Sequence, residues 1–159
     1  MEYALNASSQ LEIAMNLAKD GYRVFPCHSL GKPKTPYVKW KEESTTDTEI
    51  IQKWWEKWSS ALVGVPTGVV NGFTVLDIDK KNDVDGFKSL HRLGFDLDSI
   101  CGPRIKTPSG GLHIYFHYCP SVKNSAGKLG PGLDIRNDGG YVIVAGEIPE
   151  LGRYEVLTS

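Results

Sequence analysis

The chain has 159 residues, of which 40% are hydrophobic, so it is long enough for one domain with a sizeable buried core. Its formal net charge is −1, which excludes a uniformly basic nucleic-acid-binding protein but allows a local cationic groove beside an acidic site. We find no repeat and no low-complexity linker, so we draw no internal domain boundary.

The first third of the chain predicts two helices with a strand between them. Ser9 caps a first helix that ends at Gly21, Arg23 to Cys27 reads as a strand, and Thr46 with Glu49 forms a capping box for a second helix. Apolar residues recur at helical spacing, namely Leu11, Ile13, Ala14, Leu17 and Ala18, then Ile50, Ile51, Trp54, Trp55 and Trp58. This spacing favours core packing of the tryptophans over base stacking.

The remainder of the chain is predicted to be mainly strands, with one helix from Asp85 to Leu93 closed by Gly94. The predicted strands are Ala61 to Val65, Phe73 to Asp79, Arg104 to Thr107, Leu112 to Tyr118, Leu133 to Arg136, Tyr141 to Ala145 and Arg153 to Val156. Helices first and a strand-rich second half predict an α+β fold with a largely antiparallel sheet and flanking helices.

Two carboxylates stand at the end of an apolar strand, in Asp77-Ile78-Asp79. Successive side chains of a strand alternate between its faces, so both carboxylates emerge on one face, about 6 to 7 Å apart at the backbone. With a third ligand they would form a divalent-metal clamp of the kind that serves phosphoryl transfer. The alternative is an Asp-rich junction between a strand and a loop.

A glycine-containing turn, Thr107-Pro108-Ser109-Gly110-Gly111, leads into the strand that carries His113. Glycine has no Cβ, so the turn can bring backbone N–H groups close to an anion, with His113 on the same rim. The alternative is an ordinary hairpin turn with a histidine on a half-exposed face.

Asp134 and Arg136 lie two apart on a short strand and therefore share a face. Asp134 is the natural third carboxylate, and Gly139-Gly140 marks a tight turn into the next strand. Arg136 either pairs with Asp134 or binds substrate phosphate as a fixed cationic fork. On its own, this spacing is also typical of an ion pair on an exposed sheet face.

The lysines and cysteines are less informative about function than these motifs. Lys32, Lys34, Lys39 and Lys41 form the only dense cationic stretch, which is either a solvated loop or a contact for phosphate or template.

The three cysteines are odd in number and lack a CxxC motif, which indicates reduced thiols in the cytoplasm. Cys119 with His117 lacks the second pair that zinc would need. No secretory signal is recognisable, and the apolar runs are too short to span a bilayer.

As an ordered set, these motifs closely resemble the bifunctional DNA primase/polymerase, or prim-pol, domain of the archaeo-eukaryotic primase superfamily. The resemblance runs from about Leu11 to Tyr154. Its landmarks in chain order are Gly21-Tyr22-Arg23-Val24-Phe25-Pro26, Gly31-Lys32-Pro33-Lys34, Trp40, Trp54-Trp55, Val63 to Gly68, Asp77-x-Asp79, Thr107 to Gly111 with His113, and Asp134-x-Arg136 with Gly139-Gly140-Tyr141-Val142.

The resemblance implies roles for individual residues. Asp77, Asp79 and Asp134 match the family's three acidic metal ligands, for Mg²⁺ or Mn²⁺. Many relatives carry Glu where this chain has Asp79, and both are hard oxygen donors. His113 matches the nucleotide-binding histidine, and Ser109 and Gly110 match the turn that contacts the triphosphate. Lys32, Lys34 and Arg136 are expected phosphate or template contacts.

We therefore expect a primase-like catalytic core over residues 1–159 that transfers nucleotides from nucleoside triphosphates to a primer on a DNA template, during replication of a plasmid, phage or prophage. Prim-pol domains usually sit in longer proteins, so we expect a fragment of a larger replication protein, with a helicase in the same or a partner chain, in the cytoplasm of the host. We also expect that it extends primers better than it starts them. A metal-dependent nuclease and a catalytically silent DNA-binding module remain the alternatives.

Overall fold

The helices and strands follow the predicted order closely. The computed structural model describes residues 1–157. The helices are α1 (Gln10–Lys19), α2 (Trp40–Glu43), α3 (Thr48–Lys57) and α4 (Gly86–Arg92), with a 3-10 helix at Leu97–Ser99. The strands are β1 (Phe25–Cys27), β2 (Leu62–Pro66), β3 (Phe73–Ile78), β4 (Lys80–Lys81), β5 (Val84–Asp85), β6 (Arg104–Lys106), β7 (Leu112–His117), β8 (Ser125–Ala126), β9 (Leu133–Arg136), β10 (Tyr141–Ala145), β11 (Glu147–Ile148), β12 (Gly152–Arg153) and β13 (Glu155–Leu157).

The paired strands all run antiparallel, which confirms the predicted α+β class with a largely antiparallel sheet. The chain divides into two compact units. The first unit comprises Met1–Pro66 and Tyr141–Tyr154, and the second comprises Thr67–Gly140 with the described residues 155–157.

In the first unit, α1 and α3 pack against each other and against a three-stranded sheet of order β1-β2-β10. Ser9 caps α1 as predicted, because its hydroxyl accepts the N–H of Glu12 at 3.2 Å. Trp55 is buried and donates its indole N–H to the carbonyl of Ala61 at 3.1 Å. Core packing is therefore the correct interpretation for this tryptophan.

Three local predictions are wrong. Asp47, not Thr46, caps α3, because its carboxylate accepts the N–H groups of Glu49 and Ile50. Ile50 is 41% exposed, so it does not belong to the buried stripe of α3. The strand predicted from Arg153 to Val156 is two strands of two different sheets, since β12 pairs with β11 and β13 pairs with β6.

The second unit contains a six-stranded sheet of order β13-β6-β7-β3-β9-β8. One face of this sheet is apolar, and α4 packs on it through Leu90. The buried side chains of this face are Leu76, Ile78, Leu112, Ile114 and Leu133. Asp85, the first residue of the predicted helix, caps α4, and Gly94 follows its end in the left-handed conformation (φ 88°), as predicted.

Two further observations concern the whole described chain. None of the helices in residues 1–157 has the length and apolar composition that a membrane-spanning helix requires. The cysteines are free thiols, and burial raises the pKa of the Cys27 thiol, which makes it a poor nucleophile.

Candidate metal and nucleotide site

The candidate site lies on the face of the six-stranded sheet opposite α4. Leu76 and Ile78 of β3 belong to the apolar face, so Asp77 between them points to the other side by strand alternation. In the register of the sheet, Asp77 stands directly opposite His113 on β7 and Asp134 on β9. Three chemically important side chains from three neighbouring strands therefore form one row across the sheet.

Asp77, Asp79 and Asp134 form the acidic cluster that the sequence predicts. Each offers a carboxylate oxygen, and these oxygens lie within 4.8 Å of one another. Oxygens that share one Mg²⁺ ion at about 2.1 Å are at most about 4.2 Å apart, so small side-chain movements would suffice for binding. Three carboxylates are hard oxygen donors, which suit Mg²⁺ or Mn²⁺. The residues present therefore fit a divalent cation.

Asp79 lies one residue beyond the end of β3, and its backbone is held from both sides. Its N–H donates to the carbonyl of Gly132 at 2.8 Å, and its carbonyl accepts the N–H of Gly86 at 2.7 Å. Both partners must be glycine, because a Cβ on Gly86 would lie 2.3 Å from the Gly132 oxygen and one on Gly132 would lie 2.7 Å from the Gly86 nitrogen. This close packing fixes the position of the Asp79 backbone, from which the second carboxylate of the cluster extends.

Asp134 is held by the loop that precedes β9 and by its own strand. The N–H of Gly127 donates to Asp134 Oδ1 at 2.9 Å, and Arg136 Nη2 lies 3.4 Å from Asp134 Oδ2. Arg136 therefore pairs with Asp134, which is one of the two roles that the sequence allows for this arginine. Its side chain is still 38% exposed.

His113 contacts the acidic cluster directly. Its Nε2 lies 3.3 Å from Asp77 Oδ1, and the residue is 6% exposed. This position allows His113 to orient the Asp77 carboxylate. The predicted contact of His113 with a nucleotide stays a prediction.

The Ser109-Gly110 turn lies against the strand that carries Asp77. A Cβ on Gly111 would lie 2.4 Å from the carbonyl oxygen of Ile78, so only glycine allows this approach. The N–H of Gly110 donates within the turn to Thr107 O at 3.0 Å, and the Ser109 hydroxyl lies 3.4 Å from that of Thr107. Since the Gly110 N–H is committed to the turn, the Ser109 hydroxyl is the better candidate for a phosphate contact.

Lys32 and Lys34 belong to the first unit, in a loop whose side chains are exposed. The backbone of this loop is ordered, since the N–H of Lys34 donates to His28 O and the hydroxyl of Tyr141 donates to Lys34 O, both at 2.8 Å. Their role as phosphate or template contacts stays a prediction.

Asn137 is a buried polar residue that the sequence prediction missed. It is fully buried directly after β9, and it accepts the hydroxyl of Thr74 at 2.9 Å. Its side-chain amide donates to the carbonyls of Cys119 and Val122 at 2.8 and 2.5 Å. It thereby ties the end of the Asp134 strand to β3 and to a neighbouring loop. Asn is also common in turns, and Asn137 precedes Asp-Gly-Gly, so the sequence did not distinguish a buried asparagine from an ordinary turn residue.

A search of curated proteins finds no match to this chain. A family model described as "Bifunctional DNA primase/polymerase, N-terminal" matches residues 14–159, which confirms the resemblance seen in the motifs. The match includes every residue of the acidic cluster, the glycine turn and His113. Membership of this family supports primase or polymerase activity of the nucleotidyltransferase type, with DNA and nucleotides as substrates. The chain belongs to the bifunctional DNA primase/polymerase (Prim-Pol) family.

Proposed function

We propose that this protein is a template-directed DNA primase/polymerase that transfers nucleotides from nucleoside triphosphates with Mg²⁺ or Mn²⁺. The observation that carries the proposal is the cluster of Asp77, Asp79 and Asp134, whose carboxylate oxygens lie within 4.8 Å of one another, in a chain of the Prim-Pol family. Replication of a plasmid, phage or prophage is the setting in which we place it, with a helicase in the same or a partner chain.

The chain contributes mainly positioning and electrostatics. Asp77, Asp79 and Asp134 would hold the divalent ions, which when bound would lower the pKa of a primer 3′-hydroxyl and offset the negative charge of the triphosphate and of the pyrophosphate leaving group. His113 would support this arrangement by orienting Asp77, and the backbone contacts of Asp79 hold its Cα in place before substrate binds.

The substrate contacts follow from the same face of the sheet. The Ser109 hydroxyl and His113 would hold the triphosphate, since both belong to elements that flank Asp77. Gly110 provides the tight turn (φ 92°) that presents Ser109. Arg136 would offset the charge of Asp134 and offer its exposed part to a phosphate, with Lys32 and Lys34 as further phosphate or template contacts.

One assay separates this function from its alternatives. The protein is incubated with a primed DNA template, labelled deoxyribonucleotides or ribonucleotides, and Mn²⁺, with unprimed template in parallel. We expect nucleotide-dependent primer extension that is lost in Asp77→Ala and in Asp134→Ala, while both variants remain folded. Asp98→Ala is the matched control, because Asp98 is an exposed acid of the second unit that lies outside both the cluster and the β4–β5 hairpin.

The other outcomes are equally informative. Degradation of the DNA with metal and without nucleotide would identify a nuclease. DNA binding that is unchanged in Asp77→Ala, together with no incorporation by the wild-type protein, would identify a catalytically silent binding module. Wild-type incorporation by either cluster variant would refute the assignment of the acidic residues.

A further inference from the structure

A short hairpin directly continues the chain from the metal-ligand candidate Asp79. Its strands β4 and β5 pair Lys80 with Asp85 and Lys81 with Val84. Asn82 turns the chain in the left-handed conformation (φ 54°), which asparagine tolerates better than most residues. The two lysines are exposed.

The base of this hairpin is fixed relative to the acidic cluster. Asp79 exchanges backbone hydrogen bonds with Gly132 and Gly86, which lie immediately beside the two ends of the hairpin in the fold. Lys80 and Lys81 are one and two residues from Asp79, consecutive Cα atoms are about 3.8 Å apart, and a lysine side chain reaches about 6 Å. Lys81 has the strand parity of Asp77 and Asp79, so its ammonium group lies on the side of the acidic cluster, whereas Lys80 must bend around the edge of the two-stranded hairpin to reach a phosphate bound there.

The charges of these lysines are not used within the second unit. Lys80 stands opposite Asp85, which would be its natural cross-strand partner. However, the Asp85 carboxylate caps α4 by accepting the N–H groups of Phe87 and Lys88 at 3.0 and 3.4 Å. The ion pairs found among residues 1–157 join His113 to Asp77 and Arg136 to Asp134, and neither includes a hairpin lysine.

The negative charge of the substrate leaves room for additional positive charges beside the acidic cluster. The acidic cluster and Arg136 together carry about two negative charges, and two divalent ions would leave about two positive charges. A nucleoside triphosphate with about four negative charges would leave a surplus of about two negative charges. Lys80 and Lys81 supply two positive charges beside this surplus, and the exposed Asp83 in the turn of the same hairpin offsets part of their charge.

We propose that Lys80 and Lys81 form a phosphate-binding site beside the acidic cluster. The phosphate comes either from the incoming nucleotide or from the backbone of the bound nucleic acid, and the inference rests on the proposed function. The hairpin would thus extend the strand that carries Asp77. Its lysines would bind the negatively charged phosphate, which the carboxylates alone repel.

The test compares the variant Lys80→Gln/Lys81→Gln with Lys88→Gln/Arg92→Gln. The control pair removes two exposed cations from α4, on the opposite face of the same sheet. Two affinities are measured, for a nucleoside triphosphate with Mn²⁺ and for a primer–template duplex without nucleotide over a series of salt concentrations. Melting temperatures check that every variant is folded, and Lys80→Arg/Lys81→Arg should retain wild-type binding.

If the lysines bind the nucleotide, its affinity falls about tenfold or more in the glutamine variant and not in the control. If they bind the nucleic acid, the slope of log affinity against log salt becomes shallower by about 1.4 to 1.8, which corresponds to two lost phosphate contacts. A glutamine variant that matches the control in both measurements overturns the inference.

Failure of the proposed function gives a different pattern. A wild-type protein that binds the substrates without incorporating nucleotides contradicts the proposed function, while the two affinities still decide the role of the lysines. A wild-type protein that binds neither substrate contradicts both proposals. Normal incorporation with unchanged affinities in the glutamine variant contradicts only the lysine proposal.

Discussion

Without bound metal, repulsion among the three carboxylates should make the wild-type protein less stable than a variant that lacks one of these negative charges. Asp77 takes part in two of the three carboxylate pairs, whose oxygens lie within 4.8 Å of one another. At an effective dielectric constant of about 20, two unit charges at this distance repel by about 3.5 kcal/mol. Arg136, 3.4 Å from Asp134, and His113, 3.3 Å from Asp77, offset part of this repulsion.

The perturbation we propose is Asp77→Asn, which removes the charge and keeps the shape and the oxygen that faces His113. Rotation of the carboxylates and solvent screening reduce the gain, so we expect the metal-free variant to be more stable than the wild type by about 2 kcal/mol. For a chain of this length, that difference raises Tm by about 4 to 8 °C.

The measurement is thermal unfolding with and without Mn²⁺, in the absence of nucleotide. Metal at about 100 times its Kd should stabilise the wild type by about 2.7 kcal/mol, whereas Asp77→Asn should respond weakly or not at all. Asp98→Asn serves as the control, since it removes an exposed acid outside the cluster and outside the β4–β5 hairpin. The reasoning is refuted if metal-free Asp77→Asn melts at or below the wild-type temperature, or if it keeps the full response to Mn²⁺.

Three further predictions concern the surroundings of the cluster. His113→Ala should weaken nucleotide affinity about tenfold to a hundredfold in a binding titration, because one charge-assisted hydrogen bond is lost, and an unchanged affinity would leave His113 with the Asp77 contact alone. Gly111→Ala places a Cβ 2.4 Å from a β3 carbonyl, so the turn must shift; we expect weaker nucleotide binding together with a lower Tm, and wild-type values of both would contradict the packing argument. The hydroxyl of Tyr118, which donates to the Asp138 carboxylate at 2.6 Å, lowers the pKa of that carboxyl, so its contribution to stability is present above the pKa of the unfolded chain and is lost as pH falls through the folded pKa. Tyr118→Phe should raise the Asp138 pKa towards its ordinary value in an NMR titration, and no change would show that the hydroxyl is not the cause.

Local signals in the sequence determined much of the fold. Ser9 before an apolar stripe, and Asp85 with Gly94 around α4, mark helix ends through hydrogen bonds that span only a few residues. The bounds of β9 and β10 were likewise predicted to the residue. The same logic placed Asp77 and Asp134 on strands and identified them as metal-ligand candidates. Where two capping residues compete, as Thr46 and Asp47 do, the local signal was insufficient.

Only the tertiary structure decided how the site is assembled. The pairing of β3 with β9 places Asp77 opposite Asp134, and a shift of one residue would have put their carboxylates on opposite faces of the sheet. Gly86 and Gly132, which hold Asp79, and Asn137, which ties β9 to β3, act on partners far away in the sequence. Hydrophobic periodicity fixes which face of a strand is buried, but strand register and long-range hydrogen bonds depend on the packing of the whole sheet. The sequence therefore identified candidate residues for the site, whereas the fold determined their distances.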